Sequence, residues 1–147
     1  MIMDHKLKLM VVDDSPLFRT WLIRSLSEDD RFQVVGYAVN ALDAQEKIPL
    51  LQPDMLTLDI EMPGMSGIDF LKQLLPVHPI PVILVSSLNL RVFDALEAGA
   101  VDFVRKPDEA NGLSKEIFLS MLRSKLMVAA ASHVHLPSVP ADPQAGG

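Results

Sequence analysis

The sequence predicts an α/β fold in which a parallel sheet of five strands carries helices on both faces. Two observations support this prediction. Five short apolar runs alternate with five amphipathic stretches of helical period, and the run at residues 55–58 is apolar at nearly every position. Such alternation is typical of successive β-α units with right-handed crossovers, and strands covered on both faces are apolar throughout. With 147 residues, the chain is long enough for one domain with a substantial core.

The first strand and the first helix show how the elements are assigned. Residues 7–12 form an apolar run, and Ser15-Pro16 follows as an N-cap residue with proline at the first helical position. The remaining strands are expected at residues 32–39, 55–58, 82–85 and 101–104. The first helix should bury a stripe that consists of Leu17, Phe18, Trp21, Leu22 and Leu26.

Four further helices follow from apolar residues at helical spacing. The second covers residues 41–51 and ends near Pro53, and the third lies around residues 68–75. The fourth covers residues 90–98, with Gly99 as its C-terminal cap. The fifth is expected to carry Leu113, Ile117, Met121, Leu122 and Leu126.

The helical pattern stops near Ala131, which suggests a domain boundary. Residues 6–131 are expected to form the domain, and residues 132–147, with three prolines, a linker or tail. His133 and His135 lie in this tail without a partner carboxylate. We therefore interpret them as solvated residues rather than metal ligands.

The composition excludes several classes of protein. The formal charge of −6 argues against non-specific nucleic-acid binding. The chain contains no cysteine, which excludes disulfides and thiolate metal sites and fits a reducing compartment. No apolar run has the length of a membrane span, and the first residues lack a secretory signal. These features predict a cytoplasmic protein without a membrane partner.

Chemically useful side chains follow four of the five predicted strands. Asp13 and Asp14 follow the first strand, Asp59 the third, Ser86 the fourth and Lys106 the fifth. In doubly wound sheets, ligands bind beyond the carboxyl ends of the strands, where the strand order reverses. If the order is 2-1-3-4-5, which is taken from known folds of this class, the reversal lies between strands one and three. The three carboxylates would then meet at one edge of the sheet.

These groups suit a divalent metal and a phosphoryl group. Mg²⁺ prefers oxygen ligands, and a cation would relieve the repulsion among Asp13, Asp14 and Asp59. Asp59 is the best candidate for a nucleophile that forms an acyl phosphate. Lys106 could neutralise one phosphoryl oxygen, and Ser86 could donate a hydrogen bond to another. Each residue alone has a common structural explanation as a cap, turn or surface residue, so the prediction depends on the combination.

The same segments resemble the signature blocks of two-component response-regulator receiver domains. The resemblance covers roughly residues 6–127 and implies a flavodoxin-like fold. The segments that carry it are Val11-Val12-Asp13-Asp14-Ser15, Leu58-Asp59-Ile60-Glu61-Met62-Pro63-Gly64-Met65-Ser66-Gly67, Val85-Ser86-Ser87 and Phe103-Val104-Arg105-Lys106-Pro107.

This resemblance assigns roles to individual residues. It implies that Asp59 is the phosphoacceptor, with Asp14, Asp59 and the backbone carbonyl of Glu61 as Mg²⁺ ligands and Asp13 acting through water. Ser86 and Phe103 would be the switch residues, and Lys106 would sense the phosphate. The resemblance also implies a cis Lys106–Pro107 bond and a surface of helix four, strand five and helix five that carries the signal.

Within the family, the chain resembles the receiver half of chemotaxis protein-glutamate methylesterases. Asp59-Ile60-Glu61-Met62-Pro63, Val85-Ser86-Ser87-Leu88 and Gly99-Ala100-Val101-Asp102-Phe103 carry this resemblance. It implies a CheA-like histidine kinase as phosphodonor and a C-terminal methylesterase domain as output. No Gly-x-Ser-x-Gly elbow is present, so we expect a regulatory phosphoacceptor without the methylesterase triad.

Other functions remain to be compared with this one. A stand-alone receiver, or a receiver with another output such as a DNA-binding domain, would share the same site. An aspartate-nucleophile phosphohydrolase is disfavoured, because its two aspartates would lie two residues apart after the first strand. A dinucleotide-binding fold is disfavoured because no glycine-rich turn follows that strand.

Overall fold

A computed structural model describes residues 6–87 and 91–135 of the chain. Its five strands form one parallel sheet in the order β2-β1-β3-β4-β5, which confirms the predicted fold class and strand order. The strands are β1 (Leu7–Val12), β2 (Phe32–Ala38), β3 (Met55–Leu58), β4 (Val82–Ser86) and β5 (Asp102–Arg105).

Five α-helices connect and follow the strands. They are α1 (Pro16–Ser27), α2 (Ala41–Leu51), α3 (Gly67–Leu74), α4 (Arg91–Glu97) and α5 (Lys115–His135), and a short 3₁₀ turn covers Glu109–Asn111. Ser15 caps α1 as predicted, because its side chain accepts a hydrogen bond from the backbone N–H of Phe18. Leu90, the predicted start of the fourth helix, lies outside the described residues.

The core has two parts, one on each face of the sheet. Helices α1 and α5 cover one face, where Leu22 and Phe118 pack against Val11 and Ile83. Helices α2, α3 and α4 cover the other face, where Ile48 and Phe70 belong to the same buried cluster as the strand residues. Both faces of β3 and β4 are therefore buried, which is why these strands are apolar at every position except Thr57 and Ser86.

The predicted stripes of α1 and α5 were partly wrong. Leu17 is 86% exposed, since it lies in the first turn of α1, whereas Leu22 and Leu26 are buried. In α5 the buried stripe runs through Phe118, Leu122 and Leu126, so Ile117 and Met121, each one residue earlier, are about half exposed. Leu113 precedes α5 and forms an isolated β-bridge with Asp108.

Helix α5 continues through His135, so it overlaps the first residues of the predicted tail. The side chains of His133 and His135, and residues 136–147, lie outside the described part of the chain. Within residues 6–87 and 91–135, none of the helices combines the length and apolar character that a membrane crossing requires.

Candidate phosphoacceptor site

Three aspartates meet at the carboxyl edge of the sheet, where the strand order reverses. The ends of β1 and β3 place Asp13 and Asp59 side by side, because the backbone N–H of Asp59 donates to the carbonyl of Val12 at 3.0 Å. One carboxylate oxygen from each of Asp13, Asp14 and Asp59 lies within 4.8 Å of the other two. Asp13 and Asp59 are buried, whereas Asp14 is exposed. The cluster is thus open to solvent through Asp14.

Lys106 lies between two of these carboxylates. Its Nζ is 3.0 Å from Oδ2 of Asp13 and 3.1 Å from Oδ2 of Asp59. The backbone of Lys106 extends the pairing of β5 with β4, since its N–H donates to the carbonyl of Ser86 at 2.9 Å. The side chain is 19% exposed. A mostly buried ammonium therefore links the ends of β1, β3 and β5.

Burial and charge act in opposite directions on the ionisable groups of the site. Burial alone would lower the pKa of the Lys106 ammonium, but the attraction of Asp13 and Asp59 outweighs it and the pKa is raised. Burial raises the pKa of the Asp13 carboxyl, although the N–H of Ser15 and the charge of Lys106 partly oppose this rise. The lysine therefore stays charged, while burial makes the charged form of the Asp13 carboxyl less favourable.

The carboxylate of Asp59 is held at both oxygens. Its Oδ1 accepts a hydrogen bond of 2.9 Å from the backbone N–H of Glu61, and its Oδ2 accepts one from Lys106 Nζ. The loop that carries Glu61 is packed closely: a Cβ added at Gly67 would lie 2.7 Å from the Cα of Ile60. Gly67 thus lets the start of α3 approach the backbone beside Asp59.

Asp13 is fixed by the first turn of α1. Its Oδ1 accepts the backbone N–H of Ser15 at 2.8 Å, and its carbonyl accepts a hydrogen bond of 2.8 Å from Nη1 of Arg19. Arg19 in turn lies over the ring of Tyr37, with its guanidinium carbon 4.7 Å from the ring centroid. Arg19 was not among the residues predicted for the site. Its position in the helix that directly follows the acidic pair is the signal that could have indicated it.

Ser86 and Phe103 lie on neighbouring strands β4 and β5. The side chain of Ser86 is fully buried, and its Oγ has no hydrogen-bond partner among the described residues. Phe103 is half-buried and packs against the core cluster under α2, α3 and α4. The carbonyl of Phe103 accepts a hydrogen bond of 2.8 Å from Lys125 of α5. The structure thus places both predicted switch residues in the sheet, with the serine hydroxyl still free to accept and donate.

The expected cis bond between Lys106 and Pro107 is absent. None of the peptide bonds between described residues is cis. The trans form is the intrinsically preferred one for a bond before proline, by about 0.5 to 1 kcal/mol. The trans bond is compatible with both contacts of the Lys106 ammonium with Asp13 and Asp59.

One aromatic neighbour of the site was interpreted from the sequence as a core residue only. The Nζ of Lys106 lies over the ring of Phe18, 4.6 Å from its centroid. Phe18 belongs to the first turns of α1, which follow the acidic pair directly. Helical spacing predicts its burial against the core, but it does not reveal a contact with a strand-end lysine 88 positions later.

The donor set fits a hard divalent cation. Oxygen ligands from Asp14 and Asp59, and waters held by Asp13, would satisfy Mg²⁺, which is bound through one or two carboxylates and keeps several waters. The carbonyl of Glu61 is in the loop beside Asp59 and stays a predicted ligand. The arrangement can hold a cation next to the Asp59 carboxylate, with the Lys106 ammonium in contact with the same carboxylate and able to attract an anionic group.

Comparison with known proteins supports the same interpretation. The family pattern described as response regulator receiver domain matches residues 9–118. A protein-glutamate methylesterase/protein-glutamine glutaminase 2 from Syntrophomonas wolfei is 46% identical over 130 residues, which cover 88% of this chain and 38% of that protein. The protein of the same name from Vibrio vulnificus is 43% identical over 137 residues, covering 90% of this chain and 40% of its own length.

A solved structure shows the same similarity. The crystal structure of the response regulator domain of Thermotoga maritima CheB matches with a TM-score of 0.76 and 36% identity, covering 86% of this chain and 98% of that domain. The chain spans about two fifths of the length of the methylesterase relatives, and the matched part corresponds to a receiver of the CheB type. Its fold, its acidic cluster and this match over most of its length show that the chain belongs to the response regulator receiver domain family.

Proposed function

We propose that this domain accepts a phosphoryl group on the carboxylate of Asp59. The observation that carries the proposal is the way this side chain is presented. One oxygen accepts the N–H of Glu61, the other contacts Lys106, and two further carboxylates lie beside it. A side chain held in this way is oriented before a phosphodonor arrives, which favours reaction at one defined position.

The donor would be the phosphorylated imidazole of a histidine kinase of the CheA type. An oxygen of Asp59 attacks phosphorus, a P–O bond forms and the P–N bond breaks. The electron pair of the P–N bond stays on the imidazole nitrogen, which takes a proton. Lys106 would move from the carboxylate to a phosphoryl oxygen, and Ser86 would donate its free hydroxyl to another. Bound Mg²⁺ would neutralise charge on the phosphoryl oxygens.

Intact mass after incubation with Mg²⁺ and acetyl phosphate tests this function. Wild-type protein is expected to gain one phosphate, which hydroxylamine removes as it does other acyl phosphates. Asp59→Asn should gain none, whereas Asp69→Asn, which changes an exposed aspartate in α3, should react like wild type. An adduct of equal yield in Asp59→Asn would refute the assignment.

We further propose that the output is a protein-glutamate methylesterase domain that the unphosphorylated receiver inhibits. The support is the identity to methylesterase relatives and the exposed apolar residues of the α4–β5–α5 side. Phe93 is 68% exposed, and Ile117 and Met121 are about half exposed. We also propose a cytoplasmic location shared with the kinase, with residues 6–131 as the receiver and 132–147 as a linker whose first four residues continue α5.

A mixing experiment tests the output. The isolated methylesterase domain of a relative should be inhibited by this receiver, and phosphorylation should relieve the inhibition. Phe93→Asp should weaken the inhibition, because a charge replaces an apolar contact. Val77→Asp, at an exposed apolar position beyond α3, serves as the control. Equal inhibition by both variants would contradict the proposed surface.

A further inference from the structure

We propose that Phe18 is a positioning residue for Lys106: its ring holds the ammonium at the carboxylates and lets it change partner when the phosphoryl group arrives. This inference rests on the proposed phosphoacceptor function. It concerns a residue whose side chain cannot donate or accept a conventional hydrogen bond, so its influence on the site would act through its contact with Lys106 and not through hydrogen bonding.

The ammonium of Lys106 has two hydrogen-bond acceptors, which leaves one side of it for the ring of Phe18. A lysine ammonium has three N–H donors. Two acceptors are supplied by Oδ2 of Asp13 at 3.0 Å and Oδ2 of Asp59 at 3.1 Å. The ring centroid of Phe18 lies 4.6 Å from the same nitrogen. That distance is within the range in which a cation is attracted by the negative face of an aromatic ring.

The ring is held in place from two helices. Its centroid is 5.7 Å from that of Trp21 in α1 and 5.8 Å from that of Phe118 in α5. The rings of Phe18 and Phe118 meet edge to face. Phe118 is 1% exposed and belongs to the core under α1 and α5. Because paired rings of this geometry stabilise each other, the position of Phe18 is set by the core and does not depend on the lysine.

A ring suits a lysine that must exchange partners. A carboxylate or amide oxygen in place of the ring face would bind the third N–H and compete with an incoming phosphoryl oxygen. An aliphatic side chain would exclude water but would not attract the charge. The ring attracts the ammonium without a strict direction, so the attraction persists while the N–H donors turn from Asp59 to a phosphoryl oxygen.

Two variants separate this role from simple packing. Phe18→Leu keeps an apolar side chain and removes the ring, whereas Phe18→Tyr keeps the ring. We expect Phe18→Leu to lower the rate of phosphorylation by acetyl phosphate about twofold to fivefold. This factor corresponds to about 0.5 to 1 kcal/mol of cation–π attraction, which matters most in the transition state, because the ammonium has then left Asp59 and has fewer partners to hold it. Phe18→Tyr should restore the rate. Urea unfolding of each variant establishes that the compared proteins are folded.

A spectroscopic measurement tests the contact itself. Protons next to the Lys106 ammonium that lie over an aromatic ring are shielded, so their NMR resonances should be shifted upfield in wild type and in Phe18→Tyr. In Phe18→Leu the shift should disappear, whereas Lys115, which lies over Trp21, should keep its own shift.

The two measurements fail in different ways. Absence of any adduct on wild-type Asp59 would refute the phosphoacceptor function, while the lysine shift would still report the contact. Unshifted Lys106 resonances in the wild-type protein would overturn the inference, whether or not Phe18→Leu folds. An unchanged rate in Phe18→Leu, or an equal loss in Phe18→Tyr, would overturn it as well.

Discussion

At the scale of single residues, the site contains one buried polar group without a partner. The hydroxyl of Ser86 is fully buried at the end of β4 and has no hydrogen bond to any described residue. Leaving a buried donor unsatisfied destabilises a fold by about 1 to 3 kcal/mol. A residue with this cost in the resting state is expected to gain its partner in another state, and a phosphoryl oxygen on Asp59 would provide one.

Replacement of Ser86 tests this cost. We expect Ser86→Ala to raise the free energy of unfolding of the unphosphorylated protein by about 1 kcal/mol, because the variant no longer buries an unpaired hydroxyl. Urea titration measures the change. Ser87→Ala, at the exposed neighbouring position, should leave the stability unaltered. A loss of stability in Ser86→Ala would mean that the hydroxyl already has a partner in the resting state.

At the scale of secondary-structure elements, a charged cluster joins the end of α1 to β2 and α5. The carboxylate of Asp29 accepts hydrogen bonds from Nε of Arg31 at 3.0 Å and from Nη2 of the same side chain at 2.7 Å. Nε of Arg123, from α5, lies 3.6 Å away. Hydrogen bonding by Arg31 is the main reason why the pKa of Asp29 is lowered from its usual value. The carboxylate is therefore more stable in the folded chain than in the unfolded one.

This shift predicts a dependence of stability on pH. A carboxyl group whose pKa is lowered by folding contributes stability at pH values above its unfolded pKa, and loses that contribution as the pH falls through the folded value. Asp29→Asn should therefore be less stable than wild type at pH 7, by at most about 1 kcal/mol for a partly exposed pair. The difference should shrink below pH 3.8, the usual value for the group. Urea titrations across this range would contradict the prediction if the difference stayed constant.

The elements also show what a sequence can and cannot specify. The strands were predicted well because β3 and β4 are covered on both faces, so burial leaves runs that are apolar at nearly every position. The buried face of α5 was harder to predict from the sequence. Ile117 and Phe118 are both apolar, and helical spacing alone allows either to face the sheet. Packing against α1 selects Phe118, which meets Phe18 and Trp21 there.

Some contacts of the site could likewise be predicted from the sequence, and others could not. Strand ends of a parallel sheet share one edge, so the sequence, together with the strand order taken from known folds of this class, predicts that Asp13, Asp59 and Lys106 come together. The contact of Lys106 with Phe18 depends on where α1 crosses the sheet. The Lys106–Pro107 bond has the intrinsically preferred trans form, and the cis form was expected only from the family resemblance. Neither the contact nor the isomer follows from the spacing of residues along the chain.

At the scale of the whole molecule, the carboxyl edge of the sheet concentrates negative charge. When all are ionised, three carboxylates and one ammonium leave two net negative charges within a small volume. The chain as a whole also carries a formal charge of −6, so distant groups add to the local field instead of offsetting it. A divalent cation at this edge would relieve repulsion that the fold otherwise retains.

Mg²⁺ is therefore expected to stabilise the entire domain. A ligand that binds only the folded state adds about 1.4 kcal/mol to the free energy of unfolding at ten times its Kd, which is about 3 to 6 °C in Tm for a chain of this size. Thermal unfolding with Mg²⁺, and again after removal of the metal by EDTA, measures the effect. Sodium chloride at the same ionic strength controls for general screening of charge.

Asp14→Asn provides the matched variant for this titration. It removes the exposed carboxylate of the cluster and leaves both contacts of Lys106 in place. The variant should need a higher Mg²⁺ concentration for the same rise in Tm, because one anionic ligand is lost. If sodium chloride and Mg²⁺ raised Tm equally at matched ionic strength, or if Asp14→Asn responded like wild type, the acidic edge would not be a specific cation site. The repulsion there would then be relieved by screening alone.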